Sequence, residues 1–173
     1  EALARGIYSG CTFVNCNFSN ANLANQVFLK CEFTACDLSL AKLTQTAFRE
    51  ATFRDCKMLG LHFETCNDFG LAVRFEQCLL DHASFYKVKL GKTAFVGSRF
   101  LETDFTESDL TGSVFEKCDL SRARFERTIL EKADFYTSLN YAIDPEINRI
   151  KRAKFSLAGL AGLLGKHDLE IKF

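Results

Sequence analysis

The chain has 173 residues and a mass of 19.5 kDa, a size that suits one domain with a real core and excludes two large domains. Its 22 basic and 22 acidic residues balance to a formal net charge of zero, which leaves no global electrostatic case for binding nucleic acid or acidic lipid. The apolar residues never run for about 18 positions together, so the sequence predicts no membrane-spanning helix and no membrane partner.

Large apolar residues recur every five positions along most of the chain. The first run is Leu3, Tyr8, Phe13, Phe18, Leu23, Phe28, Phe33, Leu38, Leu43, Phe48, Phe53, Met58 and Phe63. After a slip of two residues the pattern resumes at Phe75 and continues to Phe135. A small residue precedes most of these apolar positions by two, as Cys11 precedes Phe13. The pattern therefore supplies one large and one small apolar position in most units of five.

A period of five fits neither regular helix nor flat strand. On an α-helix the apolar positions would spiral around the axis, and on a strand they would alternate between two faces. A solenoid whose direction changes every five residues keeps all of them in one core. A second period of about 20 aligns residues of the same type, and it predicts four sides per coil and about seven coils. The aligned residues are Phe13, Phe33, Phe53, Phe75, Phe95, Phe115 and Phe135. The predicted fold class is an all-β solenoid.

The eight cysteines occupy the small inward positions, where other units have Ala, Ser or Thr. They are Cys11, Cys16, Cys31, Cys36, Cys56, Cys66, Cys78 and Cys118. Because they are spread along the predicted axis and do not converge in pairs, they favour core packing over a metal site. Unpaired thiols in this number indicate a reducing, cytoplasmic compartment. The three histidines stand apart, and no spacing ties them to a nucleophile and a carboxylate. The sequence predicts no cofactor, no metal and no catalytic residues, and an enzyme is only a remote alternative.

Two features of the repeat region are candidates for binding a partner. The slip places a small bulge near residues 66–72, with Asn67, Asp68 and Phe69 at its centre. Residues 101–136 are the only acidic block, and Glu102, Glu107 and Glu116 follow apolar positions where side chains should point outward. A bulge that accommodates an old insertion, or an ordinary solvated surface, would give the same patterns.

The last segment breaks the repeat. Ser156 is predicted to cap a helix in which four leucines share one face, and residues 168–173 alternate as a strand. The apolar residues of this tail are Leu157, Leu160, Leu163, Leu164, Leu169, Ile171 and Phe173. The sequence therefore divides into a repeat domain over residues 1–155 and a tail over 156–173. The tail must at least cover the open end of the solenoid, and its apolar residues are the candidate dimer interface.

Several units carry a recognisable motif. Ala21-Asn22-Leu23, Cys36-Asp37-Leu38, Ser108-Asp109-Leu110, Cys118-Asp119-Leu120 and Ala133-Asp134-Phe135 resemble the A(D/N)LXX signature of pentapeptide-repeat proteins over residues 1–135. The resemblance implies a right-handed quadrilateral β-helix. The tail is similar to the dimer-forming tail of the Qnr and MfpA-type quinolone-resistance proteins of this family. That second resemblance implies a homodimer that mimics DNA, binds DNA gyrase or topoisomerase IV and protects it from quinolones.

We therefore expect a non-enzymatic, dimeric rod that binds other proteins and makes no direct contact with nucleic acid. Binding to a type II topoisomerase is the alternative that the tail implies. Neutral net charge and the lack of long projecting loops are departures from the Qnr pattern.

Overall fold

The chain winds into a parallel β-solenoid in this computed structural model, which describes residues 3–170. Each apolar position of the repeat points inward, and the backbone turns before the next one. The strands are β1 Ile7–Ser9, β2 Thr12–Val14, β3 Val27–Leu29, β4 Glu32–Thr34, β5 Ala47–Arg49, β6 Ala51–Arg54, β7 Val73–Glu76, β8 Ala94–Val96 and β9 Val114–Glu116. The predicted solenoid is confirmed.

The solenoid has four sides. The first side is the parallel sheet β1-β3-β5, and the second is the six-stranded parallel sheet β2-β4-β6-β7-β8-β9. Shorter parallel bridges form the third side, as at Asn17–Asp37, and the fourth, as at Ser84–Asp104. The six strands of the second side give about six turns, against the about seven expected. Isolated bridges extend that side as far as Lys154.

Aromatic rings stacked from coil to coil fill the interior. On the second side the column runs from Phe13 to Phe155, with ring centroids 4.5–5.6 Å apart between neighbouring coils. Phe75, Phe95 and Phe115 are fully buried. Such stacking is the arrangement that the period of 20 predicted.

Left-handed backbone at the corners lets each unit turn. The second residue after most inward positions has a positive φ, for example 52° at Asn15, 57° at Asn20 and 61° at Asn25. Asparagine tolerates this conformation better than most residues. The freed N–H groups donate to the next coil, as Asn15 does to the Thr34 carbonyl at 3.0 Å.

The two-residue slip appears as a change of register between neighbouring coils. Phe33 pairs with Phe53, twenty residues on, whereas Phe53 pairs with Phe75, twenty-two residues on. A short 3₁₀ helix, Phe63–Thr65, precedes the excursion. The first-side sheet ends at β5, so the bulge interrupts that side and leaves the second side continuous.

The tail differs from its sequence prediction. The α-helix, α1, spans only Ala161–Leu164 and is followed by a 3₁₀ helix, Gly165–His167. Ser156 does not cap α1: its hydroxyl accepts from the Gly159 N–H at 3.1 Å, in a turn that precedes the helix. Residues 168–170 form no strand, so the strand prediction is wrong for them, and Ile171 and Phe173 lie outside the described residues. The helix is limited to about one turn because the apolar segment is short and contains two glycines, which lower its helix propensity.

Candidate interaction surfaces

The three acidic residues singled out from the sequence are not gathered on one side. Glu102 lies at the corner after Phe100, Glu107 at the corner after Phe105, and Glu116 in β9. Their roles in binding a partner stay predictions. The structure does place Glu102 and Glu107 on one coil, with Asp104 between them.

Basic residues of the neighbouring coils flank this acidic coil. Glu102 lies 2.8 Å from Arg122 and 3.4 Å from His82. Glu107 lies 3.0 Å from Arg127 and 3.4 Å from Lys87. The hydrogen bond from Arg127 holds the pKa of Glu107 below its ordinary value. The acidic coil is thus charge-compensated along the rod axis, because side chains twenty residues apart lie side by side.

The bulge presents an exposed aromatic ring on a braced turn. Asn67 Oδ1 accepts from the Phe69 N–H at 3.0 Å, and Gly70 has a φ of +70°, a conformation that glycine adopts readily. The Phe69 side chain is 75% exposed. The Arg49 guanidinium lies 5.4 Å from the centre of its ring. The Nε of Arg49 is buried and has no hydrogen-bond partner within residues 3–170. Aromatic side chains, Phe included, and arginine are both enriched in protein interfaces.

The leucines of the tail divide between the solenoid and solvent. Leu163 packs against the core. The exposed members are Leu157, at 83%, with Leu160, Leu164 and Leu169. One predicted interface residue therefore belongs to the cap, while the other four described ones remain accessible.

Close packing on Tyr141 holds the tail to the end of the rod. The Tyr141 ring is buried 5.8 Å from Phe135 and 5.5 Å from Phe155. A Cβ on Gly162 would lie 2.2 Å from the Tyr141 carbonyl oxygen. The Ile143 N–H donates to the Gly162 carbonyl at 2.9 Å.

Sequence reasoning missed three of these residues. Tyr141 and Gly162 determine where the tail docks, and Arg49 braces the bulge. The spacing of Gly159 and Gly162 within an apolar run is a signal for close helix packing, and it could have identified Gly162. Nothing in the sequence brings Arg49 next to Phe69, because the two meet only through the coil geometry.

The cysteines are free thiols that form short columns. The Cys36 thiol donates to the Phe13 carbonyl at 3.4 Å and the Cys118 thiol to the Phe95 carbonyl at 3.3 Å. Burial raises the pKa of Cys66 and of Cys118 to about 12. The thiols of Cys66 and Cys118 are therefore protonated packing groups at neutral pH. Within residues 3–170, no group of three or more His, Cys, Asp or Glu side chains is placed to hold a metal ion.

Two models of one repeat family match the chain over most of its length. Pentapeptide repeats match residues 9–45 and 31–67, and a pentapeptide repeat region matches residues 71–142. The chain belongs to the pentapeptide-repeat family. The two matches stop on either side of residues 68–70, so the bulge is where this pentapeptide-repeat protein departs from the family pattern.

Among solved structures, this pentapeptide-repeat protein is similar to QnrB1, a plasmid-mediated fluoroquinolone resistance protein. A trypsin-treated form matches with a TM-score of 0.67 at 18% identity, over 99% of this chain and 95% of that one. Full-length QnrB1 matches with a TM-score of 0.53 at 19% identity, over 98% and 100%. At this identity the likeness shows the fold alone. No curated protein sequence gives a significant match. In the described part of the chain, none of the helices has the length and apolar character needed to cross a bilayer.

Proposed function

We propose that this pentapeptide-repeat protein is a non-enzymatic rod that forms a homodimer through its tail and binds other proteins along its sides. The observation that carries the proposal is the set of exposed tail leucines, Leu157, Leu160, Leu164 and Leu169. A cap needs only its inward face, which Leu163 supplies. A second apolar surface beside it is suited to burial against another copy.

Filling of the interior by aromatic rings supports a role without catalysis. The ring columns occupy the centre of the solenoid, and enzymes generally place their chemistry in a deep cavity with convergent polar groups. Eight free thiols support a reducing compartment, and we propose the cytoplasm.

Light scattering tests the dimer. The wild-type chain is expected to have twice its 19.5 kDa monomer mass. The double variant Leu160→Glu/Leu164→Glu should have the monomer mass, because four carboxylates would face each other across the two-fold axis. Leu40→Glu is the matched control, since Leu40 is 62% exposed but lies far from the tail. A wild-type monomer at working concentration, or a dimer that survives the double variant, would contradict the tail interface.

Binding to a type II topoisomerase is the second candidate, favoured by the match of the whole rod and tail to QnrB1. The compensated acidic coil weakens the case for a DNA-like surface, because its carboxylates already face arginines. The assay is gyrase supercoiling with and without ciprofloxacin. Inhibition, or protection from the drug, at micromolar protein would support this candidate, and the absence of both would remove it.

A further inference from the structure

A cleft of about 470 Å³ opens between the bulge and the coil that follows it. Its apolar wall includes Phe63, Leu71 and Val88, and its rim includes Asp68 and Lys89. The cleft lies where the two extra residues draw the chain away from the first side. Of its apolar wall, Leu71 is half-buried, and Phe63 and Val88 are buried beneath it.

The backbone ladder is broken at the same place. Along the first side, the N–H of Asp109 donates to the Val88 carbonyl at 3.0 Å, and that of Ile129 to the Ser108 carbonyl at 2.9 Å. The corresponding bond of the preceding coil would join the Lys89 N–H to the Cys66 carbonyl. Among the described residues that N–H and that carbonyl have no hydrogen-bond partner, so the cleft contains one backbone donor and one backbone acceptor left over from a missing rung.

Some of the charged side chains that line the cleft are already in ion pairs, and others are not. Lys87 lies 3.4 Å from Glu107, and Glu64 lies 2.8 Å from His62. Asp68 and Lys89 take part in none of the ion pairs of residues 3–170. One acidic and one basic side chain are therefore available to pair with a ligand that has both a positive and a negative group.

We propose that this cleft, the bulge cleft, binds an extended segment of a partner protein. The partner's backbone C=O accepts from the Lys89 N–H, and its backbone N–H donates to the Cys66 carbonyl, as when a strand is added to a sheet edge. A large apolar side chain of the segment packs on Leu71 and Val88. A basic residue on one flank and an acidic residue on the other meet Asp68 and Lys89. This inference rests on the proposed role of the rod in protein binding, and it places one contact of that role.

The test is a titration of the isotope-labelled chain with short blocked peptides, followed by nuclear magnetic resonance. The probes are acetyl-Lys-Thr-Phe-Thr-Glu-amide and the reversed order acetyl-Glu-Thr-Phe-Thr-Lys-amide, and a third peptide replaces Phe by Ser. We expect one order to bind with a dissociation constant of about 1 mM. Binding should move the Lys89 amide proton downfield and shift the methyl signals of Leu71 and Val88. The Ser peptide should leave them unchanged.

Charge variants supply the control. Lys89→Glu should weaken binding of the Phe peptide about tenfold. Lys132→Glu, at an exposed lysine that does not line the cleft, should not change its binding. Equal shifts with Phe and Ser peptides, shifts that map elsewhere, or no saturable shift with either order would overturn the inference.

The same titration on Leu160→Glu/Leu164→Glu separates this inference from the proposed function. Peptide binding that persists in this variant is independent of the dimer. A wild-type dimer that binds no peptide would remove the bulge cleft and leave the rod's proposed function in place.

Discussion

Gly162→Ala tests how the tail is held to the rod. The added methyl would lie 2.2 Å from the Tyr141 carbonyl oxygen and 3.0 Å from its ring. The carbonyl belongs to the backbone and cannot rotate away, so the tail must move outward by about 1 Å to reach ordinary contact. That movement breaks the Ile143–Gly162 hydrogen bond, worth about 1 kcal/mol, and removes about 1–2 kcal/mol of Leu163 burial. The higher helix propensity of alanine offsets up to about 1 kcal/mol.

The expected net loss of tail docking is therefore about 1–2 kcal/mol. Hydrogen exchange at the Ile143 amide measures it, and the rate should rise about tenfold for each 1.4 kcal/mol lost. Gly165→Ala is the matched control, because nothing lies within 4 Å of a Cβ there and its φ is −55°. It should leave exchange unchanged or slow it, with a gain of about 0.5–1 kcal/mol. Unchanged Ile143 exchange in Gly162→Ala would refute this account of the tail.

Two further predictions concern the repeat. Phe75→Ala should lower the free energy of unfolding by about 3–5 kcal/mol, because the Phe75 ring is buried. Phe69→Ala should lower it by less than about 0.5 kcal/mol, because the Phe69 ring is exposed. Equal urea midpoints for the two variants would contradict the stacked core. The hydrogen bond from Arg74, together with that from Arg54, lowers the pKa of Glu76. The wild type should therefore have a higher free energy of unfolding than Glu76→Gln at neutral pH, by at most about 1 kcal/mol. This difference should vanish as the pH falls through the lowered pKa. Urea unfolding at about pH 7 and about pH 3 checks the sign, and an advantage that grows in acid would contradict it.

The fold could be predicted because the solenoid repeats one local rule. Phe13 and Phe33 occupy equivalent positions of a periodic pattern, and parallel pairing stacks equivalent positions. The number of turns differs from the number expected because the strands of the second side give way to isolated bridges beyond β9. The tail could not be read in the same way. Its helix depends on how closely Gly159 and Gly162 approach Tyr141, and this contact joins segments that have no shared period.

The candidate surfaces could likewise be predicted only where a local sequence pattern determines them. The bulge followed from counting residues between Phe63 and Phe75, but Arg49 beneath Phe69 and the unmatched Lys89 N–H depend on which coils become neighbours. Counting charges in a sequence block suggested an acidic face. A block of sequence wraps around all four sides, whereas electrostatic neighbours are twenty residues apart, so the arginines beside Glu102 and Glu107 escaped that count.

The change of register at the bulge has a consequence for how such rods can change in length. The two inserted residues alter pairing between one pair of coils, yet Phe75, Phe95 and Phe115 again follow one another at intervals of twenty. Insertions and deletions within one side of a coil are therefore local events, since each coil contacts only the one before and the one after. A lineage of these proteins could acquire or lose projections from one side without redesigning its interior, which makes such sites the natural places for new specificity to arise.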